Sequence, residues 1–401
     1  MRKSLFATLF AAAVLLCACT EKNSSDQSLQ ITADDVIYLD GNFDDNFLES
    51  WEYVLLDDSN PDALLGDIDG IFYDDDLFFV LSGTLSFHTS QIKVFDCNGK
   101  YLHDIGHEGR ARNEYLHICE WMINTSANEI IVHDNYANAL KRYDYDGNYL
   151  GEMIIPGTDI KDGFINKNPV KCLSNGSILF QGGLAVIPTY DYFYINPDST
   201  LHSPLQITGY RAYCDMDPYE YSRMVGDLGF VGTTLCFSDI TSDTSYVLRV
   251  LDNHIYKLSA NSVQCLANMA FLPEVPQKVR MSFDDVAQEK YYGISIPIGT
   301  FDLNKYMLMY FPDEDYVYEK ASSKMYHVSH VTNHISLSSL LGERIIHGNT
   351  IIGCVEDYHI ERTLSYIDSP DYDHRYTPDV EALYRKVATH ENAAIIIAHY
   401  K

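Results

Sequence analysis

The sequence predicts an all-β fold, a β-propeller made of four-stranded antiparallel blades. Three observations lead there. Gln91–Tyr115 (QIKVFDCNGKYLHDIGHEGRARNEY) reads as two short strands around an Asn98-Gly99 turn, followed by a charged, glycine-containing loop. A weaker copy, LKRYDYDGNYL at Leu140–Leu150, places Asp144 and Gly147 48 residues after Asp96 and Gly99. The chain around both reads as strand meanders separated by turn residues. A hairpin recurring at this period is the signature of a propeller blade.

Taken in order, residues 1–18 read as a leader. Arg2 and Lys3 form a positive start, and Leu5–Leu16 is apolar but too short to span a bilayer. Leu16-Cys17-Ala18-Cys19 resembles the lipobox of bacterial lipoproteins, which makes Cys19 the expected lipidation site; an ordinary cleaved leader is the competing reading. Residues 19–30 are polar and read as a flexible tether, with 31–401 as a single propeller domain. Ile31–Leu39 reads as a strand or extended arm, and Trp51–Leu56 as a strand that closes the ring beside Ala393–Tyr400. The first unit is Asp67–Tyr73, Leu77–Ser82, Gln91–Asp96 and Lys100–Ile105. The second is His117–Ile123, Glu129–Asp134, Ala139–Asp144 and Asn148–Ile155. A looser third unit turns at Asn196-Pro197-Asp198-Ser199, and three more follow from about Leu228, Tyr291 and Arg344. Thr377-Pro378 then starts a helix, with Val380, Leu383, Tyr384 and Val387 at helical spacing.

Composition narrows the function. Of 401 residues, 46% are hydrophobic and 13% aromatic, enough for a large core. A net charge of -29 repels phosphates and excludes a nucleic-acid binder. Beyond Cys17 and Cys19 the cysteines are Cys97, Cys119, Cys172, Cys214, Cys236, Cys265 and Cys354. Their odd number and wide spacing, without a CxxC pair, suit small buried hydrophobes better than a disulfide framework or zinc site.

Several stretches together resemble the six-bladed β-propeller lipoproteins of Bacteroides-type bacteria, related in architecture to NHL-type propellers. They are WEYVLLDDSNPDALLGDIDGI, IKVFDCNGKYLHDIG, GHEGRARNEY, IYKLS with VQCLANMAFLP, and HENAAIIIAHYK. The resemblance implies six four-stranded antiparallel blades with one C-terminal helix packed outside. A monomeric lipoprotein is expected, and Thr20 after Cys19 is compatible with the outer membrane, on its periplasmic or cell-surface face, by resemblance to general lipoprotein sorting. The chain departs from the family loop, Gly-Pro-Gly-Glu-Tyr, which here is Ala111-Arg112-Asn113-Glu114-Tyr115.

That loop carries the ligand-binding candidates His107, Glu108, Arg110, Arg112 and Glu114, expected on one face beside the Gly83–Ser90 loop with His88. The competing reading is that these charges pair with neighbouring loops and space the blades. KMYHVSHVTNHISL, with His327, His330 and His334, alternates like a strand and puts His327 and His330 on opposite faces, so it does not read as a joint metal site. Asp74-Asp75-Asp76 lacks EF-hand spacing and reads as a hairpin tip. No GxSxG, P-loop or GxGxxG motif is present, so no catalytic residue, metal or cofactor is assigned. Two functions remain. One is a membrane-anchored binding or scaffold propeller that recognises a protein, peptide or glycan. The other is a propeller hydrolase or lyase acting on carbohydrate or peptide near the axis.

Overall fold

The structure, a computed structural model, describes residues 28–84, 89–134, 136–137, 139–154, 167–182, 190–206, 235–249, 253–260, 262–272, 299–311, 314–329, 344–355, 357–372 and 376–401. The chain opens with β1 (Leu29–Ile31), β2 (Val36–Tyr38), a short helix α1 (Phe43–Phe47) and β3 (Leu48–Leu55). Three meanders follow. They are β4 (Asp67–Asp74), β5 (Leu77–Thr84), β6 (Thr89–Asp96) and β7 (Tyr101–Ile105); β8 (Ile118–Asn124), β9 (Glu129–Asp134), β10 (Ala139–Asp144) and β11 (Tyr149–Ile154); and β12 (Lys167–Cys172), β13 (Ile178–Gly182), β14 (Tyr190–Ile195) and β15 (Leu201–Gln206). Next come β16 (Leu235–Ser238), β17 (Thr244–Arg249), β18 (His254–Ser259) and β19 (Ser262–Met269), then β20 (Gly299–Asp302), β21 (Tyr306–Tyr310), β22 (Asp315–Glu319) and β23 (Lys324–Val328). The chain ends with β24 (Arg344–His347), β25 (Thr350–Val355), helices α2 (Asp357–Ile367) and α3 (Pro378–Val387), and β26 (Ala394–Tyr400).

The expected six four-stranded blades are corrected to five. β16 does not pair with β17; it runs parallel to β20, with Leu235 opposite Gly299 and Ser238 opposite Asp302. It therefore serves as the inner strand of the sheet β20–β23 and also packs against β12, β17 and β24. β24 packs on β4, Phe72 of β4 meets Trp121 of β8 edge to face at 4.5 Å, and β8 packs on β12. Five inner strands, β4, β8, β12, β16 and β24, thus close a ring. Left without an inner strand of its own, β17–β19 joins β1 in a four-stranded sheet inserted beside the fourth blade.

Buried charge fastens this junction. Asp302 Oδ2 accepts from Ser238 Oγ at 3.1 Å and Tyr246 N at 2.8 Å, while Oδ1 lies 2.5 Å from Lys320 Nζ. Lys320 Nζ also sits 4.0 Å from the centre of the Tyr246 ring. Lys171 of β12 donates to the carbonyls of Asp239 (3.1 Å), Ser242 (2.6 Å) and Thr244 (2.6 Å). Buried ammonium groups are stable only when paired in this way.

Turn chemistry sets the repeat. Asp96 caps its turn through Oδ1, which accepts from Asn98 N at 2.9 Å and Lys100 N at 3.0 Å, and Gly99 takes φ 84°. Asp144 and Gly147 repeat this, again with φ 84° at the glycine. In the third blade Ser199 occupies the same left-handed position, φ 65°, a cost that glycine avoids. The hairpin at Asn98-Gly99 is therefore a turn with one left-handed residue, whereas Asp75 and Asp76, both at positive φ, form the two-residue type I′ tip.

The single expected C-terminal helix is corrected to two. Ile360 of α2 joins Val380, Leu383, Tyr384 and Val387 of α3 in one cluster with Val355, Ala394 and Ile396 of the last blade. Thr377 stands at the N-cap of α3 without a side-chain cap bond, and Pro378 follows at the first position. The expected ring closure is present: β3 pairs antiparallel with β26, from Leu55 opposite Ala394 to Leu48 opposite Tyr400. Ahead of it, β1 pairs in parallel with β19 and β2 with β23, so one stretch of chain covers three successive outer edges.

Replacing Asp302 by Ala leaves Lys320 buried without its counter-charge and should cost about 3–5 kcal/mol in chemical denaturation. Combining Asp302→Ala with Lys320→Met should recover part of that loss. Equal stability of Asp302→Ala and the parent would show that this network does not hold the shared inner strand.

Candidate functional site

The candidate loop leaves β7 and enters β8, folding back on itself. Gly109 N donates to Tyr115 O at 2.9 Å, Tyr115 N to His107 O at 3.2 Å and Glu114 N to Ala111 O at 3.0 Å. The Glu114 carboxylate accepts from Ala111 N at 2.7 Å and lies 2.8 Å from His107 Nε2. These bonds, the Ala111 amide first, hold the Glu114 carboxyl below its ordinary range. Gly109 leaves room for the brace: a Cβ there would lie 1.9 Å from Glu114 Oε2 and displace the carboxylate. The second blade supports the loop from below. Lys141 donates to the Glu114 carbonyl, and the Tyr143 hydroxyl donates to Asn113 O at 3.1 Å.

The five candidates therefore separate. His107 and Glu114 are brought together, but on each other, as the internal brace of the loop. Arg110 and Arg112 are exposed, Arg112 beside Tyr149. Glu108 faces a cleft of about 390 Å³ between the first blade and this loop. Its walls include Leu64, Ser82, Gln91, Lys93 and Tyr115. His88 lies outside the described residues.

The cleft floor comes from the central strands of the first blade. Lys93 is almost wholly buried; its Nζ donates to Asp62 O at 2.6 Å and lies 3.5 Å from Asp104 Oδ1. Gln91 Nε2 donates to Asp104 Oδ2 at 2.6 Å. Ser82 Oγ accepts from Gly66 N at 2.8 Å. Burial, then the nearby Asp104 charge, push the Tyr101 hydroxyl up to about 12. Tyr115 is buried, donates to Ser90 O at 3.3 Å, and is also pushed up by burial.

Sequence reasoning missed Ser82, Gln91 and Lys93. The signal was present, because Lys93 stands three residues before Asp96 as Lys141 stands before Asp144. Asp69 was also missed. It sits at a break in the β4–β5 register, where burial and the adjacent Asp67 raise its carboxyl above the ordinary range. A matching break falls at Cys119 in the second blade.

The histidines do not converge. His327 packs against Tyr38 and Tyr316 at the outer edge of the fourth blade, 3.4 Å from Glu314 Oε2. His347 lies 3.9 Å from Asp74 Oδ1, near the type I′ tip, and Tyr145 donates to Asp74 Oδ2 at 2.6 Å. His330 and His334 lie outside the described residues, as does the side chain of His359. Among the described residues, no group of three His, Cys, Asp or Glu is placed to hold a metal ion.

The profile of a domain of unknown function, DUF4934, matches residues 42–399. No curated protein matches the chain. Among solved structures, it is similar to a candidate exported protein of Bacteroides fragilis at 12% identity and TM-score 0.60, covering 91% of this chain and 99% of that one. That likeness shows a shared fold. A DUF4221 member from Bacteroides vulgatus (8% identity, TM-score 0.45, coverage 88% and 97%) and a streptogramin B lyase (12%, 0.41, 76% and 80%) are more distant and carry no functional weight. The resemblance to six-bladed, NHL-like lipoproteins is corrected accordingly: the ring has five blades, and the family whose profile matches is DUF4934. Cys19 and residues 1–27 lie outside the described residues, so the lipoprotein and membrane-anchor assignments find no support in the structure. No helix among the described residues is long and apolar enough to cross a membrane.

Glu114 ties the loop through its ionised form, so the sign of the pH effect is fixed. A carboxyl held below its ordinary range stabilises above the unfolded carboxylate range, and that contribution is lost as pH falls through the folded value. The protection factor of the Ala111 amide, its exchange rate referred to the intrinsic rate at each pH, should fall on acidification and in Glu114→Ala at neutral pH, with the protection of the β10 amides unchanged. Equal protection of Ala111 in both proteins would show that the carboxylate does not brace the loop.

Proposed function

The chain belongs to the DUF4934 family, and we propose that it is an extracytoplasmic binding or scaffold propeller that takes a protein, peptide or glycan through its loop face. The cleft of about 390 Å³ carries this reading. It lies within the size range of ligand sites, and its polar groups stand on strands that cannot easily move. The braced loop forms one wall, with Glu108 facing the cleft and Arg110 and Arg112 on the exposed outer side. An extracytoplasmic location agrees with the fold shared with a candidate exported protein.

Asp69 favours a second reading, a hydrolase or lyase. A half-buried carboxyl with a raised pKa, beside Asp67 on an inner strand, has the character of a general acid. Turnover of a polysaccharide by the parent and its loss in Asp69→Asn would establish that reading over simple binding.

Crosslinking and pull-down from intact cells, with glycan-array binding alongside, test the first reading. Glu108→Lys should weaken capture about tenfold or more without moving the unfolding midpoint, because the residue is exposed. Undiminished capture by Glu108→Lys together with a cleft variant, Gln91→Ala, would place the binding surface elsewhere.

A further inference from the structure

We infer that the first-blade cleft takes a neutral, hydroxyl-rich end of a glycan, hydrogen-bonded by Ser82, Gln91, Lys93 and Glu108. This rests on the cleft being the binding site. The argument comes from comparing two blades of the same chain. Ser82 pairs across the sheet with Gln91 in the first blade, and Asp134 pairs with Ala139 at the same register in the second. Lys93 and Lys141 each stand two residues further along their strands.

In the second blade these positions satisfy themselves. Asp134 accepts from Leu116 N at 2.8 Å and Ala137 N at 3.1 Å, and lies 3.8 Å from Lys141 Nζ. Lys141 also reaches the carbonyls of Glu114 and Arg112, and Ala139 brings no polar atom. The first blade keeps the scaffold but leaves capacity over. Ser82 Oγ takes the entering amide of Gly66, as Asp134 takes that of Leu116, and retains a hydroxyl proton to donate. Lys93 donates to one acceptor, Asp62 O, pairs with Asp104 at 3.5 Å and lies 5.5 Å from the centre of the Tyr101 ring, and it has three N–H groups. Gln91 donates to Asp104 and keeps its Oε1 as an acceptor. Glu108 adds a carboxylate at the wall.

Spare donors and acceptors therefore share one cleft, in which Asp104 offsets Lys93 and Glu108 leaves a negative charge at the wall. Lys93 is already balanced by Asp104, so an anion would meet Glu108 and a strongly acidic chain. A cation would leave the Lys93 donor facing it unpaired. Hydroxyl groups both donate and accept, and they meet every one of these partners. A peptide added as an extra strand would need a free strand edge, yet β5 is paired on both sides, by β4 and β6, and β6 by β5 and β7.

The test is a glycan array with the full chain, followed by calorimetric titration with neutral oligosaccharides, acidic oligosaccharides and short peptides. Ser82→Asp with Gln91→Ala installs the second blade's residues in the first. It should keep the fold and lose about tenfold or more in affinity for the neutral glycan. Glu108→Ala, on the exposed loop, should weaken the same binding, whereas Asp134→Ser with Ala139→Gln in the second blade should not mimic either loss. A peptide or acidic glycan that binds, and is lost in Ser82→Asp/Gln91→Ala, would overturn the neutral-glycan assignment and leave the binding reading standing. Binding indifferent to both cleft variants, or no binding to any probe, would overturn both.

Discussion

The structure depends on one antiparallel pairing, that of β3 with β26. It joins residues 48–55 to residues 394–400 and so ties the start of the ring to its end. A propeller blade buries its faces against two neighbours, and an open ring would expose two such faces at once. The closing strand is reinforced by what precedes it. β1 and β2 run along the outer edges of the inserted sheet and the fourth blade before β3 completes the fifth. Three sheet edges that would otherwise stand open are thereby covered, which removes a route to edge-to-edge association.

With the ring closed, the faces of the first blade are fixed on one side by the last blade and on the other by the second. Leu56, Phe78, Phe95, Tyr143 and Ile395 share one buried cluster spanning all three. The cleft inherits that rigidity. Its polar groups stand on β5 and β6, and its movable wall is a loop braced internally by His107 and Glu114 and from below by Lys141. The proposed function draws on a local departure within a repeat: the same register that closes on itself in the second blade is left with spare hydrogen-bonding capacity in the first.

Local features were legible in the sequence. Glu129–Asp134 and Ala139–Asp144 are strands with the bounds their alternation suggests, and the Asp-x-x-Gly turns bend where Asp96 and Asp144 predict. Non-local pairing was not. Leu235–Ser238 reads as an ordinary first strand of a fourth unit, and nothing in its composition reveals a parallel partner at Gly299–Asp302. That single exchange changes the count from six to five. Helix α2 was overlooked although Ile360, Leu364 and Ile367 recur at helical spacing, because aromatic and β-branched residues around them also suit strands. At the site, charge drew attention to His107 and Glu114, which turn out to brace the loop. Lys93 and Gln91 were hidden because a strand interior reads as packing, and only superposing the two copies of the repeat distinguishes them.

The most direct measurement of the central claim is NMR chemical-shift mapping during titration with a neutral oligosaccharide. The account predicts that the side-chain amide of Gln91 and the backbone amides of Ser82, Lys93 and Glu108 move together and saturate with one affinity. The equivalent positions Asp134, Ala139 and Lys141 of the second blade should stay fixed, as should His347 and Asp74 at the type I′ tip. Shifts centred on the second blade or on that tip, with the first-blade cleft unmoved, would contradict it.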